Sequence, residues 1–180
     1  MSGRAVSKES RFPSFAFGSV GIGAALVTVP SLCHAHLVNS GLGPFYDGAL
    51  HLLLSPADVL GLVAATLLAG LHSARAGRLT ATILPVTWFL AGLAGLYFFG
   101  APPLPWLSVL SFALLGALVA FNPPLPAAAV ASLAGLFGAL HGLLNGSALA
   151  AIDAGWTSLL GIAVTVWVIG LLTSAAVVSL

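Results

Sequence analysis

After Asn39 the chain falls into apolar blocks separated by turn residues, and the only cations in that whole stretch are Arg75 and Arg78. A helix that crosses a bilayer takes about 20 predominantly apolar residues. On that measure, spans are expected near residues 52–71, 81–99, 106–121, 127–144 and 156–179. The separators read HSARAGR, GAPPLP, NPPLP and NGSALAAIDAG, whose Gly, Pro and Asn do not readily continue a helix. With 59% hydrophobic and 5% charged residues and a mean hydropathy of +1.13, the chain has too little polar surface to cover an apolar core in water. The expected fold class is therefore all-α, a polytopic membrane helix bundle of about five spans after an N-terminal signal peptide.

The first residues carry that signal pattern. Arg4, Lys8 and Arg11 form a basic region, residues 15–32 are apolar, and Cys33-His34-Ala35 before His36 is an A-x-A-like cleavage site. Residues 1–35 are expected to be the signal peptide, or alternatively an uncleaved first helix, and residues 36–180 a single transmembrane helical domain. Either way His36 emerges on the outer face. Cys33 is the one cysteine, so disulfides are not expected. Arg75 and Arg78 mark the first connection as cytoplasmic by the positive-inside rule. The N-terminus of the mature chain then lies outside, in the inner (plasma) membrane of the cell. Trp88, Trp106, Trp156 and Trp167 lie partly near span ends, where indole rings favour the interface. The cations fall in two places only and form no stripe for nucleic acid.

Chemistry-bearing residues gather toward the outer side. The tetrapeptide GALH occurs twice, ending at His51 and at His141. His51 sits at the outer entrance of the first span, and His141 is expected within one turn of the outer end of the fourth. Two of the four carboxylates, Asp47 and Asp58, flank His51. On one continuous helix, positions 47, 51 and 58 fall within about 40° of one another and make a polar stripe. Ser55-Pro56-Ala57-Asp58 is also a helix-start pattern, with Ser as N-cap and Pro at the first helical position. In that case Asp47 and His51 lie on a short half-helix, and Asp58 is either a ligand or a cap. A broken helix at membrane depth is tolerated where it lines protein or a wet cavity.

Ionisable groups in spans cost ~2.5 to 3.5 kcal/mol on insertion scales and by default suggest a pathway or a ligand site. Imidazole with carboxylate suits a divalent transition metal, and the single Met, Met1, argues against a soft copper(I) route. Asn145, four residues after His141, could orient the imidazole, supply a weak oxygen ligand, or end the helix before Gly146. His72, beside Ser73 and Arg75, reads as a loop histidine or an exit ligand. Gly92 with Gly95, and Gly135 with Gly138, suit close helix approach.

The signal-like start ending in HAH, the segment GALHLLLSPADVLGLVAATLLAGL and the later FGALHGLLNG resemble the HupE/UreJ family of small nickel/cobalt permeases, found with hydrogenase and urease gene clusters. The resemblance spans most of the chain after His36. Its better-preserved part is FG-x-x-HG, here Phe137 to Gly142. It implies a mature N-terminal histidine, matched by His36, and a first-span motif HPxxGxDH, of which Gly48 and His51 are matched. The motif's leading histidine falls on Pro44 and its aspartate on Leu50, and Asp47, one turn before His51, is read as the substitute carboxylate. Six spans are usual in the family, against five here.

The function expected is a secondary permease for Ni²⁺ or Co²⁺, with His36, Asp47, His51, Asp58, His141 and Asn145 as the metal-handling residues. His36 and Asp47 would capture hydrated metal, and His51, Asp58 and His141 would bind it within the outer half. No permanent cofactor is expected; the metal is the ligand carried. The lipid bilayer is the other partner, and a homo-oligomer is left open. No GxxxxGK[ST], H-E-x-x-H or G-x-S-x-G pattern is present, so neither ATP hydrolysis nor an enzymatic activity is expected. The alternatives are a non-transporting accessory protein for metalloenzyme maturation or sensing, and a membrane protein holding haem through two histidines.

Overall fold

A computed structural model describes residues 39–98 and 105–178. The signal segment, Cys33 and His36 lie outside the described residues. Six helices follow in order: α1 (Pro44–Leu53), α2 (Pro56–His72), α3 (Ala74–Phe98), α4 (Pro105–Phe121), α5 (Ala127–Ala150) and α6 (Trp156–Val178). The described residues form no strand, and the all-helical bundle expected of the sequence is what they build.

Each of the five expected spans falls on one of α2 to α6. By length and composition α3, α5 and α6 can each cross a membrane alone, and α4 is apolar but shorter. α2 reaches that length only together with α1, across a break that bends the pair by 75°. Ser55 and Pro56 make that break. Ser55 is the N-cap residue of α2 with an extended backbone, and its hydroxyl turns back to donate to the His51 carbonyl at 2.8 Å. Pro56 then occupies the first helical position, where its missing N–H loses no bond. The single polar stripe through 47, 51 and 58 is therefore corrected: these residues sit on two half-helices.

Two connections are shorter than the turn residues suggest. HSARAGR is not a loop: only Ser73 separates α2 from α3, and its hydroxyl accepts the Ala76 N–H at 3.1 Å. This cap lets α3 begin at Ala74, so Arg75 and Arg78 lie in its first two turns. NGSALAAIDAG is mostly helical as well. Asn145 is buried in the interior of α5, and the helix runs on to Ala150 before a turn through Asp153. His141 is consequently more than two turns from the end of α5, deeper than expected. The amide of Asn145 donates to the His141 carbonyl at 2.8 Å, so this residue reinforces the helix and does not end it.

Small residues let the backbones touch. A Cβ on Gly142 would lie 2.1 Å from the Trp88 carbonyl oxygen, and one on Gly146 would lie 1.9 Å from that of Gly92, so α3 and α5 pack at backbone distance. The core is built there, around Trp88, Leu84, Leu62, Phe137, Ile162 and Val166. Trp106 and Trp156 stand half-exposed in the first turns of α4 and α6, as interface residues do, whereas Trp88 is fully buried.

Candidate metal centre

Four of the expected residues converge where α1, α2 and α5 meet. The end of α1 presents His51, the first turn of α2 presents Asp58, and α5 presents His141 and Asn145 one turn apart on one face. All are buried: His51 is 6%, Asp58 8%, Asn145 5% and His141 0% exposed. The break at Ser55 makes this convergence possible, because it turns α2 away from α1 and leaves His51 and Asp58 on either side of the bend.

The hydrogen bonds form one continuous chain. Asn145 Nδ2 donates to Asp58 Oδ2 at 3.1 Å and to the His141 carbonyl at 2.8 Å. Both partners are acceptors only, which fixes the amide: turning it over would set oxygen against oxygen twice. Asn145 Oδ1 therefore faces His51 Nε2, 3.1 Å away, and that nitrogen must carry the proton and donate. In the neutral ring Nδ1 then holds the lone pair. His51 Nδ1 is buried and has no hydrogen-bond partner among the described residues.

His141 instead has a polar neighbour at each ring nitrogen. Its Nδ1–H donates to Asp58 Oδ1 at 2.5 Å, and its Nε2 lies 2.8 Å from Ser111 Oγ on α4. Ser111 Oγ also lies 2.8 Å from the Ser108 carbonyl, and its one proton can serve only one of these neighbours. The His141 ring is stacked under Phe137, with centroids 4.1 Å apart, and flanked by Trp88 at 5.6 Å. Asp58 is thus not a cap for its own helix. Its two oxygens serve α5, and its negative charge in the first turn of α2 is favoured by the helix dipole.

Asp47 is not part of this cluster. It lies one turn before His51 on α1, and its Oδ1 accepts the backbone N–H and the hydroxyl of Ser40. With Asn39, Asp153 and Ser158 it lines a depression of about 270 Å³ at the start of α1. His72 is occupied too, with Nδ1 2.9 Å from the Leu68 carbonyl and Nε2 2.8 Å from the Pro123 carbonyl, so it ties α2 to the connection between α4 and α5.

Among the described residues no three His, Cys, Asp or Glu side chains are disposed as a ready metal cage. The reason is visible in the bonding: Asn145 stands between His51 and Asp58, and Asp58 is bonded to His141. The arrangement supplies one open imidazole nitrogen, with a carboxylate and a second imidazole behind it held by exchangeable hydrogen bonds. Ser111 and Trp88 are the members that sequence reading missed. In an all-apolar helix such as α4 no periodicity marks which serine faces inward.

A family model described as HupE / UreJ protein matches residues 24–180 of the chain. No curated protein and no solved structure shows significant similarity to it.

Proposed function

The chain belongs to the HupE/UreJ family, and from that membership together with the buried cluster we propose that it is a secondary permease for a divalent transition metal, Ni²⁺ or Co²⁺. The observation that carries this reading is the unpartnered Nδ1 of His51, an imidazole lone pair buried beside a carboxylate and a second imidazole within membrane helices. A lone pair kept dry and unbonded costs free energy unless something fills the position. Borderline divalent ions such as Ni²⁺ and Co²⁺ take imidazole nitrogen with carboxylate oxygen readily.

In this reading Asp47, and His36 ahead of it, attract hydrated metal at the outer mouth, and His51 Nδ1 is the first nitrogen it meets. The carbonyl end of half-helix α1 adds partial negative charge at that point, the device by which broken helices hold cations at membrane depth. Asp58 is the counter-charge for the dication. His141 joins as a ligand by exchanging its bond to Asp58 or Ser111. Asn145 is the residue that keeps His51 Nδ1 open. Passage follows the membrane potential, worth ~2.3 kcal/mol per charge per 100 mV. Arg75 and Arg78 at the start of α3 favour an orientation with that end in the cytoplasm, in the inner membrane.

A non-transporting accessory role is favoured by one observation, the anchoring of His141 between Asp58 and Ser111, which suits a binding site that holds metal without passing it on. A haem carrier is disfavoured, because Asn145 and Asp58 fill the space between the two imidazoles. Uptake of radioactive nickel and cobalt into cells expressing the wild type, His51→Ala and His141→Ala at matched membrane levels separates these readings. Accumulation by wild type that both variants lose supports the permease. Metal binding by the purified protein without accumulation supports the accessory role.

A further inference from the structure

One side chain closes the cluster on the Arg75 side. Phe137 precedes His141 by one turn of α5, so it lies directly on the side of the cluster that faces the start of α3. Its ring lies against His141 on one face, meets the Trp88 indole edge-on at 5.8 Å, and reaches across to α2. The tip of the ring fills the place where a side chain at position 61 would be: a Cβ built on Gly61 would stand 2.3 Å from Phe137 Cζ. The ring belongs to the apolar core cluster that includes Leu62, Leu84, Ala134, Ile162 and Val166. An ion held by His51, Asp58 and His141 therefore cannot continue toward the Arg75 end while this ring stays in place.

The ring has somewhere to go. Phe137 also borders a crevice of about 140 Å³ between α4 and α5, lined by Leu114, Leu115, Leu133, Leu136 and Leu140. The crevice is apolar and open on one side, where Leu114 and Leu136 are exposed, and its volume is close to the ~150 Å³ that holds a benzene molecule in an enclosed apolar cavity. Ser111, the hydrogen-bond partner of His141, lines the same crevice. A ring moving there would leave His141 uncovered and arrive beside the residue that anchors its Nε2.

We propose that Phe137 is the inner gate of the permease: across to Gly61 it closes the polar cluster from the Arg75 side, and turned into the α4–α5 crevice it opens it. Apolar constrictions of this kind stop ions by excluding water. The proposal rests on the permease reading for its purpose, and its geometry can be tested apart from transport.

The test is thiol labelling. In a Cys33→Ala background, which removes the single native cysteine, Asn145→Cys places a reporter inside the cluster. A membrane-impermeant cationic methanethiosulfonate is applied to vesicles of each orientation. Phe137→Ala should raise labelling from the Arg75 side by on the order of tenfold, the scale expected when a minor open state becomes the main one. Gly61→Ala should act in the same direction, since its methyl group displaces the ring tip. Monodisperse elution in detergent with a helical circular-dichroism spectrum like that of the parent reports that each variant is folded, and if Phe137→Ala fails that check Gly61→Ala decides. Unchanged labelling from the Arg75 side in a folded variant overturns the gate. Increased labelling without metal flux in any form of the protein keeps the gate and removes the permease reading.

Discussion

Asn145 Oδ1 lies 3.1 Å from His51 Nε2, and this one relationship determines which nitrogen of His51 is open. The amide is fixed by two acceptors on its other side, so its orienting role comes from bonding and not from sequence position. Partners that orient metal-binding imidazoles typically account for 10–100-fold in affinity. Replacing Asn145 by Leu, close in size but without the amide, should therefore weaken nickel binding by roughly 10–100-fold. Calorimetric titration of the purified protein checks this, and an unchanged affinity would leave Asn145 with a packing role only.

The Asp58–His141 pair should behave as a unit. Both groups are buried, and removing one partner of a buried pair costs ~3–5 kcal/mol because the other is stranded. Asp58→Ala and His141→Ala should each destabilise the bundle on that scale in equilibrium unfolding in mixed detergents. The double variant should lose clearly less than the sum of the two. Strict additivity would mean that the pair is not coupled.

The glycines divide into two kinds by what surrounds them. A Cβ on Gly142 meets the Trp88 carbonyl, whereas one on Gly116 meets nothing within 4 Å. Gly142→Ala should force α3 and α5 apart, with a loss of about 1–3 kcal/mol by overpacking. Gly116→Ala should gain up to about 1 kcal/mol through helix propensity. Thermal unfolding of the two variants side by side measures the contrast, and equal effects would contradict the backbone contact between these helices.

How much of this was legible in the sequence follows from which signals are local. The break before α2 is written in Ser55 and Pro56, since N-cap and Pro preferences act within one turn. The five apolar blocks were equally plain, because length and hydropathy need no tertiary information. The gathering of His51, Asp58, His141 and Asn145 was legible only as a set of rare polar residues on one side. The hydrogen bonds that order them were not, because each crosses between helices far apart in the chain. The HSARAGR separator and Asn145 misled for one reason: residues that end a helix in one context start or continue one in another. The Ser73 hydroxyl caps α3 immediately, and the Asn145 side chain bonds back to its own helix. Ser111 sits on a helix apolar all round, where no face is marked as inward, and Trp88 and Phe137 take their places from contacts with other helices.

Asp47 should matter for capture and not for passage. It is held by Ser40 at the depression beside the start of α1, away from the buried cluster. Asp47→Asn should raise the nickel concentration for half-maximal uptake several-fold, through lost attraction of the cation, and leave the maximal rate near wild type. Initial uptake rates across a range of nickel concentrations test this. A collapse of the maximal rate would place Asp47 in the pathway itself.

The most direct test of the account is nickel-edge X-ray absorption on the metal-loaded protein, wild type beside His51→Ala. We predict nitrogen and oxygen neighbours with imidazole scattering in the wild type, and the loss of one imidazole, with much weaker metal retention, in the variant. An identical imidazole contribution in the two proteins would mean that the metal does not bind through His51, and would contradict the central claim.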